Sequence, residues 1–275
     1  FLNPSLDRDW RNPLEIPGLA EVADGLIDAI REKKRIVVFG DFDLDGISAT
    51  TVLTRGLRAL GACAFPFVPR RFEEGYGITA AAFERARALE PDVIVTVDCG
   101  ITAAQEAGYA ASLGMDMVIT DHHECGACPL PAAVAVVDPK RPGSRYPNAD
   151  LAGVGVAFKL LCAVEGGAER VLSQYADLIA TGTIADVMPL TGENRYIVRR
   201  GLAMLAESPR PGIRALLEES GALGRRISAS TMGFTLAPRL NAAGRLGRAD
   251  VAVRLLLTRD EGEAARLAAE LCRLN

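Results

Sequence analysis

The two histidines of this chain stand side by side, at His122 and His123, and Asp121 precedes them. The apolar run at 117–120 just before them has the composition of a buried strand. Two further runs of this kind, at 35–40 and 92–97, are followed by aspartates. Asp41, Asp43 and Asp45 follow the first run, and Asp98 follows the second. Carboxylates and imidazoles bind divalent metal ions and transfer protons in active sites. The pattern therefore indicates a metal or acid–base centre.

Apolar runs rich in valine and isoleucine alternate with alanine-rich stretches from residue 35 to residue 138, which is typical of a parallel sheet covered on both faces. We predict strands at 35–40, 65–68, 92–97, 117–120 and 133–137, and helices at 47–60, 79–89 and 102–113. Because the carboxyl ends of parallel strands meet at one edge of a sheet, the aspartates and histidines are expected to lie together. Their repulsion requires a cation, Mn²⁺ for mixed ligands or Mg²⁺ for carboxylates alone.

Strand patterns stop after Asp138, and a proline-rich loop follows at 139–150. Beyond it we predict helices at 153–165, 168–182, 194–206, 212–220, 228–235, 249–257 and 260–274. The first 34 residues form a leader with a short amphipathic helix around 19–30. The sequence therefore predicts a doubly wound α/β fold with a mainly parallel sheet, followed by a helical half.

Composition limits the possible functions only loosely. With 275 residues, of which 49% are hydrophobic, the chain can form one large domain or two modest ones. Its apolar runs are too short to span a membrane. Six scattered cysteines are typical of an intracellular protein with reduced thiols. A net charge of −4 is unusual for a nucleic-acid binder, so basic residues that bind nucleic acid have to be concentrated locally.

Some of these residues also fit interpretations other than a metal centre. A calcium loop beginning at Asp41 requires an acidic residue at position 52, which is Val52. Aspartate and glycine at strand ends are also common turn residues, and Asp138 before a proline fits a turn as well as a ligand. Cys125 and Cys128 have the spacing of half a zinc site, but a second ligand pair is missing from the sequence. Two ordinary loop thiols are the favoured interpretation.

Six segments in order resemble the motifs of the DHH phosphoesterase superfamily and of its RecJ branch. Segments 40–46, 97–100 and 121–123 resemble the first three superfamily motifs, and 70–77, 182–195 and 238–245 resemble motifs of the RecJ branch. The resemblance covers residues 35–275. It implies a 5′→3′ exonuclease that hydrolyses single-stranded DNA to 5′-mononucleotides with two ions of Mn²⁺ or Mg²⁺. A role in DNA repair and recombination in the bacterial cytoplasm is implied as well.

The resemblance also implies roles for individual residues. It implies that His123 faces the scissile phosphate and that Asp98 bridges two ions. Many relatives carry a histidine ligand at the position of Phe39, and Asp41 or water is expected to take the place of that ligand here. His123, Asp98 and Asp41 are thus the catalytic candidates. The implied metal ligands are Asp43, Asp45, Asp98, His122 and Asp186.

Contacts with the DNA are expected from basic residues in the motifs of the RecJ branch. Arg70 and Arg71 are expected to bind phosphate, although they would also balance neighbouring glutamates. A glycine-containing loop between helices is expected to supply Arg239, Asn241 and Arg245. Gly153 and Gly155 open a helix, and they fit either anion binding by its free amides or close packing of the helix. Tyr76 fits either stacking on a base or burial in the core.

Domain limits and partners complete the expectations. We expect a leader and helix at 1–34, the α/β metal-binding half of a DHH domain at 35–138, its helical half at 139–258, and from 259 to 275 a helix connecting to a DHH-associated domain. A single-stranded-DNA-binding protein and a helicase are partners implied by the resemblance alone. Two alternatives remain open: a phosphodiesterase of the same superfamily acting on oligoribonucleotides or cyclic dinucleotides, and a replication scaffold without catalysis.

Overall fold

A parallel sheet of five strands forms the centre of the computed structural model, which describes residues 3–75, 77–126, 129–207 and 209–275. The strands are β1 Arg35–Gly40, β2 Cys63–Phe67, β3 Val93–Val97, β4 Asp116–Thr120 and β5 Ala135–Val137, in the order β2-β1-β3-β4-β5. Each adjacent pair is parallel, which confirms the predicted sheet.

Helices surround this sheet and make up the second part of the chain. Before residue 113 the described part of the chain forms α1 Leu6–Asp9, α2 Leu19–Arg31, α3 Leu44–Ala59, α4 Arg71–Glu74, α5 Ala80–Arg87 and α6 Ala104–Ser112. After residue 150 it forms α7 Gly153–Glu165, α8 Ala168–Ala185, α9 Gly192–Glu207, α10 Pro211–Glu219, α11 Ala229–Thr231, α12 Ala237–Arg245, α13 Ala249–Leu257 and α14 Glu261–Leu274. A 3₁₀ turn at Pro13–Glu15 and a π-helix at Met232–Leu236 complete the set.

Alternating side chains of the strands pack into separate cores on the two faces of the sheet, as the strand period of two requires. Val37 and Phe39 pack with α5 and α6, whereas Ile36 and Val38 pack with α2, α3 and α7. The second core continues into α8–α10 and α12–α14, so one apolar cluster joins the sheet to the helical half. The doubly wound fold predicted from the sequence is confirmed.

The chain order of the strands changes direction between β1 and β3. After β1 the chain crosses to β2 on one side, and it then returns to place β3, β4 and β5 on the other side. In sheets of this kind ligands bind outside the carboxyl ends of the strands at that point. Asp41, Asp43 and Asp45 follow β1 and Asp98 follows β3, so the aspartates flank this crevice.

One predicted segment was wrong. Residues 228–235 were expected to form one helix and 239–245 a loop, but α11, the π-helix and α12 run on without a break to Arg245. Pro238 is the second residue of α12 and closely follows the π-helix, so it lies where the hydrogen-bonding pattern of the helix changes. Gly244 is needed for a close contact: a Cβ there would lie 2.0 Å from the carbonyl oxygen of Phe42.

Two further predictions concern cysteines and membranes. The five cysteines within the described ranges are all free thiols, and Cys128 lies outside those ranges. Throughout the described ranges, no helix combines the length and the apolar character that crossing a membrane requires.

Candidate metal centre

The loop from β1 to α3 and the first turn of α3 carry Asp41, Asp43 and Asp45. Asp43 is the N-cap of α3, and its Oδ1 accepts a hydrogen bond from the Gly46 amide at 3.0 Å. This bond satisfies one of the free donors at the start of the helix. Asp41 and Asp45 are both buried, on either side of this cap. The cap therefore fixes the backbone that presents three carboxylates at one edge of the sheet.

Asp45 is held by the opposite half of the molecule. Its carboxylate accepts hydrogen bonds from the amides of Gly153 at 2.6 Å and Val154 at 2.9 Å, the first residues of α7. Helix N-termini attract negative charge through their free amides and dipole. Close packing is also required here, because a Cβ on Gly153 would lie 2.4 Å from Oδ1 of Asp98. Both expectations for this glycine thus apply, and the anion is a side chain of the protein itself.

His122 lies at the centre of three carboxylates. Its Nε2 is 3.0 Å from Oδ1 of Asp98, 3.6 Å from Oδ2 of Asp186 and 3.8 Å from Oδ2 of Asp45. Asp186 comes from the C-terminal end of α8, so strand ends and a helix end converge on one point. Potential ligand atoms of Asp45, His122 and Asp186 all lie within 4.8 Å of one another.

The ligand atoms around His122 are placed to bind a cation and not to form hydrogen bonds with one another. Among the described residues, Nε2 of His122, Oδ1 of Asp98 and Oδ2 of Asp186 are buried without a hydrogen-bond partner. Burial lowers the pKa of His122 to about 4, so the imidazole is neutral at pH 7. Its lone pair and the carboxylate oxygens then face the same space. Buried polar atoms without partners are costly unless a ligand satisfies them, and this donor set fits a divalent metal ion.

Electrostatic repulsion in the cluster supports the same conclusion. Burial, followed by neighbouring carboxylates, raises the pKa of Asp45 and of Asp98 well above the usual range. Burial and Asp43 raise the pKa of Asp41 to about 7 and that of Asp186 to about 6. Several carboxylates in one buried site cannot all be charged without a cation.

A second group of ligand atoms adjoins the first. Asp41, Asp43 and Asp98 also bring carboxylate oxygens within 4.8 Å of one another. Asp98 also forms a third group of this kind with His122 and His123. Its backbone has a left-handed φ of 61° that aspartate tolerates better than most residues. Phe39 stands where many relatives are expected to carry a histidine ligand. It is fully buried in β1 and packs on Phe67. Asp41 thus stands where a substitute ligand was expected.

His123 has a different environment from His122. Its Nδ1 lies 2.7 Å from Oδ1 of Asp121, and its side chain is 45% exposed. Asp121 is buried and also accepts hydrogen bonds from the amides of Ile101 and His122. The bond with Asp121, the largest cause, raises the pKa of His123 to about 9, so the ring is cationic at pH 7. Asp121 was not a predicted site residue, although its position directly before the histidines would have indicated it.

Helix α12 supports the centre from the other side. Asn241 Oδ1 accepts a hydrogen bond from the Leu44 amide at 2.7 Å, so this side chain holds the loop that carries Asp43 and Asp45. Arg239 donates to the carbonyl oxygen of Thr235 within its own helix, and Arg245 is exposed at the helix end. The three residues predicted as one phosphate-binding group therefore have three different surroundings.

Arg70 and Arg71 also differ from each other. Arg70 forms an exposed ion pair with Glu73 at 2.9 Å. This contact corresponds to the alternative in which the arginine balances the charge of a neighbouring glutamate. The guanidinium of Arg71 lies 4.9 Å from the ring centroid of Phe42, in the loop of aspartates. Of this pair, the structure therefore brings Arg71 to the centre. Tyr76 lies outside the described residues.

Asp138 does not join the ligand groups among the described residues. It is buried, and its Oδ1 accepts a hydrogen bond from the Lys140 amide at 2.7 Å, as in a turn after an aspartate. Asn194 was not predicted from the sequence. Its Nδ2 donates to the carbonyl oxygens of Asp150 and Pro189, and it joins the segment before α7 to the loop after Asp186.

Comparisons with known proteins agree with this arrangement. The family model described as the DHH family, N-terminal domain, matches residues 35–183, which is more than half of the chain. The chain belongs to the DHH family. This DHH chain is 45% identical over 269 residues to the single-stranded-DNA-specific exonuclease RecJ of Bacillus subtilis, covering 98% of the chain and 34% of that protein. The Thermus thermophilus protein of the same name is 46% identical, over 95% of the chain and 38% of its own length.

Solved structures give the same relationship for the DHH fold. A crystal structure of exonuclease RecJ bound to manganese has a TM-score of 0.85 and 45% identity, and it covers 94% of this chain and 66% of that chain. RecJ from Thermus thermophilus in complex with Mn²⁺ has a TM-score of 0.79 and 43% identity, and it covers 94% of this chain and 37% of that chain. The chain thus spans a third to a half of the length of the curated relatives that it matches.

Proposed function

We propose that this chain is the catalytic core of a metal-dependent exonuclease that degrades single-stranded DNA from its 5′ end to 5′-mononucleotides. The observation that carries the proposal is the buried point where His122 Nε2, Asp98 Oδ1 and Asp186 Oδ2 meet without hydrogen-bond partners. Relatives at 45–46% identity are named single-stranded-DNA-specific exonucleases. Solved structures of RecJ from Thermus thermophilus are complexes with Mn²⁺ or with Mg²⁺.

Two ions of Mn²⁺ or Mg²⁺ are proposed for this site. Asp45, His122 and Asp186 would hold one ion, and Asp41 and Asp43 would hold the other, with Asp98 shared between them. Bound ions of this kind polarise a phosphoryl oxygen and make water a stronger acid. The mixture of imidazole and carboxylate ligands on the first ion suits Mn²⁺, whereas the second group contains carboxylates alone and suits Mg²⁺ as well.

The side chains of the protein supply the remaining chemistry. Asp121 holds Nδ1 of His123 and thereby orients the ring, so that Nε2 is available to the substrate. A cationic imidazole in this position stabilises charge on the phosphate or donates a proton to the leaving oxygen. Asp98 and Asp41 position the reacting groups together with His123. Arg71, Arg239 and Arg245 are proposed to bind phosphates of the strand, and Arg70 and Asn241 to support this binding indirectly.

Domain limits and cellular role belong to the same proposal. We assign the leader to 1–34, the metal-binding α/β half to 35–138, the helical half to 139–258 and a connecting helix to 259–275. A role in DNA repair and recombination in the bacterial cytoplasm is proposed by resemblance, and the two relatives compared above are bacterial. A single-stranded-DNA-binding protein and a helicase are the proposed partners, by resemblance alone.

Degradation of end-labelled DNA tests the function. With Mn²⁺, a single strand labelled at its 5′ end should release labelled mononucleotide at once, while a strand labelled at its 3′ end should shorten progressively. A blunt duplex of the same sequence is the control and should resist. Hydrolysis of dinucleotides or cyclic dinucleotides without degradation of long strands would instead favour the small-substrate phosphodiesterase. Failure to bind Mn²⁺ at all would favour the scaffold.

A further inference from the structure

A long groove crosses the helical half between α9, α10 and the segment at 220–229. Its volume is about 930 Å³, and Val198, Leu202 and Leu217 are among the apolar residues that line it. A groove of this size on a face with apolar side chains is a candidate binding site. Its charge then indicates the class of ligand.

Arginines dominate the polar lining of this groove. Among the residues that the structure describes, five arginines line it against one carboxylate, that of Glu218, although the whole chain carries a net charge of −4. Arg225 and Arg226 are exposed, and within the described ranges neither forms an ion pair. The local concentration of positive charge fits a polyanion. The arginines are Arg195, Arg199, Arg214, Arg225 and Arg226.

A second cavity, the connecting cavity, adjoins this arginine groove. It has a volume of about 800 Å³ and shares the lining residue Ala229 with the groove. It is also lined by Val187, which follows Asp186, and by Asn241, which holds the Leu44 amide. The two cavities therefore adjoin each other, and the second is lined by residues that neighbour or hold the segments carrying the metal ligands.

Exposed apolar side chains stand along the connecting cavity. Phe234 is 83% exposed in the π-helix, and Val187 is 84% exposed with a left-handed φ of 57°. Neither position is explained by packing, and both π-helices and strained backbones are frequent at functional sites. An exposed aromatic ring beside arginines is the combination by which proteins bind single-stranded nucleic acid, through base stacking and phosphate contacts.

We propose that the arginine groove and the connecting cavity form a track for the part of the DNA strand that lies 3′ of the scissile phosphate. This inference rests on the proposed function, because that function places the 5′ end at the metals. Phe234 stacks on a base as the strand leaves the centre, and Arg225 and Arg226 bind phosphates further along. An acidic peptide would also match the arginines, but it would not explain why the connecting cavity adjoins Val187, next to Asp186, or why the ring of Phe234 is exposed there.

Equilibrium binding without divalent ions tests the track. Fluorescently labelled oligothymidylate is titrated with the wild-type chain in EDTA at several salt concentrations, for a long strand and for a dinucleotide. The Arg225→Ala/Arg226→Ala double variant should bind the long strand on the order of tenfold more weakly, the scale of two exposed charge contacts. Its salt slope should fall by about 1.4, since a single strand contributes about 0.7 for each phosphate contact. Affinity should also depend less on strand length.

Two further variants keep the result interpretable. Arg31→Ala/Arg87→Ala removes the same charge from α2 and α5, far along the chain from the groove, and should bind like the wild type. Phe234→Ala should weaken binding about tenfold without changing the salt slope, because it removes stacking and no charge.

Several outcomes would overturn the track. Equal affinity and salt slope for the wild type and the double variant would do so. Polyglutamate that binds the wild type but not the double variant, while DNA binds both equally, would assign the groove to an acidic protein partner. Hydrolysis in Mn²⁺ is measured separately: a wild-type chain that binds DNA through the groove but cuts none supports the track and contradicts the nuclease.

Discussion

The two halves of the molecule contribute different kinds of group to one centre. The α/β half supplies carboxylates and imidazoles that follow β1, β3 and β4, in short sequence motifs. The helical half supplies one carboxylate, Asp186, and otherwise backbone amides and Asn241. One half thus gathers most of the negative charge, and the other holds it in position. Variants that affect one half at a time can therefore separate the contribution of the metal ligands from that of the groups that hold them in position.

The largest effect is expected for Asp98→Asn in the α/β half. Asparagine tolerates the left-handed φ of this position, so the fold should persist. Cleavage should fall by more than about 10³-fold, beyond the cost of a single charge-stabilising group. Loss of a buried like charge should raise the melting temperature without metal. Calorimetry with Mn²⁺ and thermal unfolding measure both effects, and near-normal turnover would refute the shared role of Asp98.

His123→Ala should reduce the rate by about 10²–10⁴-fold, the usual range for a positioned proton donor. Mn²⁺ affinity should be kept, because His123 is assigned to the phosphate. His122→Ala is the matched comparison and should lose Mn²⁺ affinity directly. Since His123 can also reach a ligand group with Asp98 and His122, equal loss of metal by both variants would show that it is a ligand instead.

Gly153→Ala tests the helical half. The added Cβ would lie 2.4 Å from the Asp98 carboxylate, and it should cost about 1–3 kcal/mol of stability, as overpacking does. Mn²⁺ affinity should fall as well, because Asp45 and Asp98 are displaced together. Gly108→Ala, in α6 with nothing within 4 Å, is the control and should be slightly stabilising. If both variants bind Mn²⁺ like the wild type, α7 does not position the ligands.

Asn241→Ala and Arg245→Ala separate two roles within α12. Asn241→Ala removes the acceptor for the Leu44 amide, so it should cost about 1 kcal/mol of stability and weaken Mn²⁺ binding. Arg245→Ala should instead reduce the salt slope of DNA binding by about 0.7. Thermal unfolding and binding titrations distinguish the two. A change of salt slope in Asn241→Ala would return this residue to the phosphate-binding group.

The smallest effect concerns Val187, a β-branched residue with a left-handed backbone. Val187→Asn should raise the free energy of unfolding by about 1 kcal/mol, which corresponds to about 2 °C in melting temperature for a chain of this size. Val134→Asn, at another exposed valine whose φ is not positive, is the control and should give no stabilisation. Equal melting temperatures for the two variants would mean that Val187 is not strained.

The sequence predicted the sheet and most of the centre because the signals are local. A buried strand followed by aspartates is visible within ten residues, and parallel strands bring such ends together. Asp186 was identified only through resemblance, since a helix end carries no comparable signal. The role of Asn241 and the hold of Gly153 on Asp45 could not be predicted, because both are contacts between residues more than 100 positions apart. The glycine in 238–245 suggested a loop, whereas it permits a helix to contact Phe42.

The bond between Asp45 and the first turn of α7 joins residues 108 positions apart. A chain that has folded only its first half has the aspartates but neither the amides that hold Asp45 nor Asp186. The proposed hydrolysis therefore requires that the helical half has docked on the sheet edge. Separation of α7 from that edge would release Asp45 from the amides that hold it. Under the proposed function, a centre assembled in this way keeps the chain inactive towards DNA until both halves have folded together.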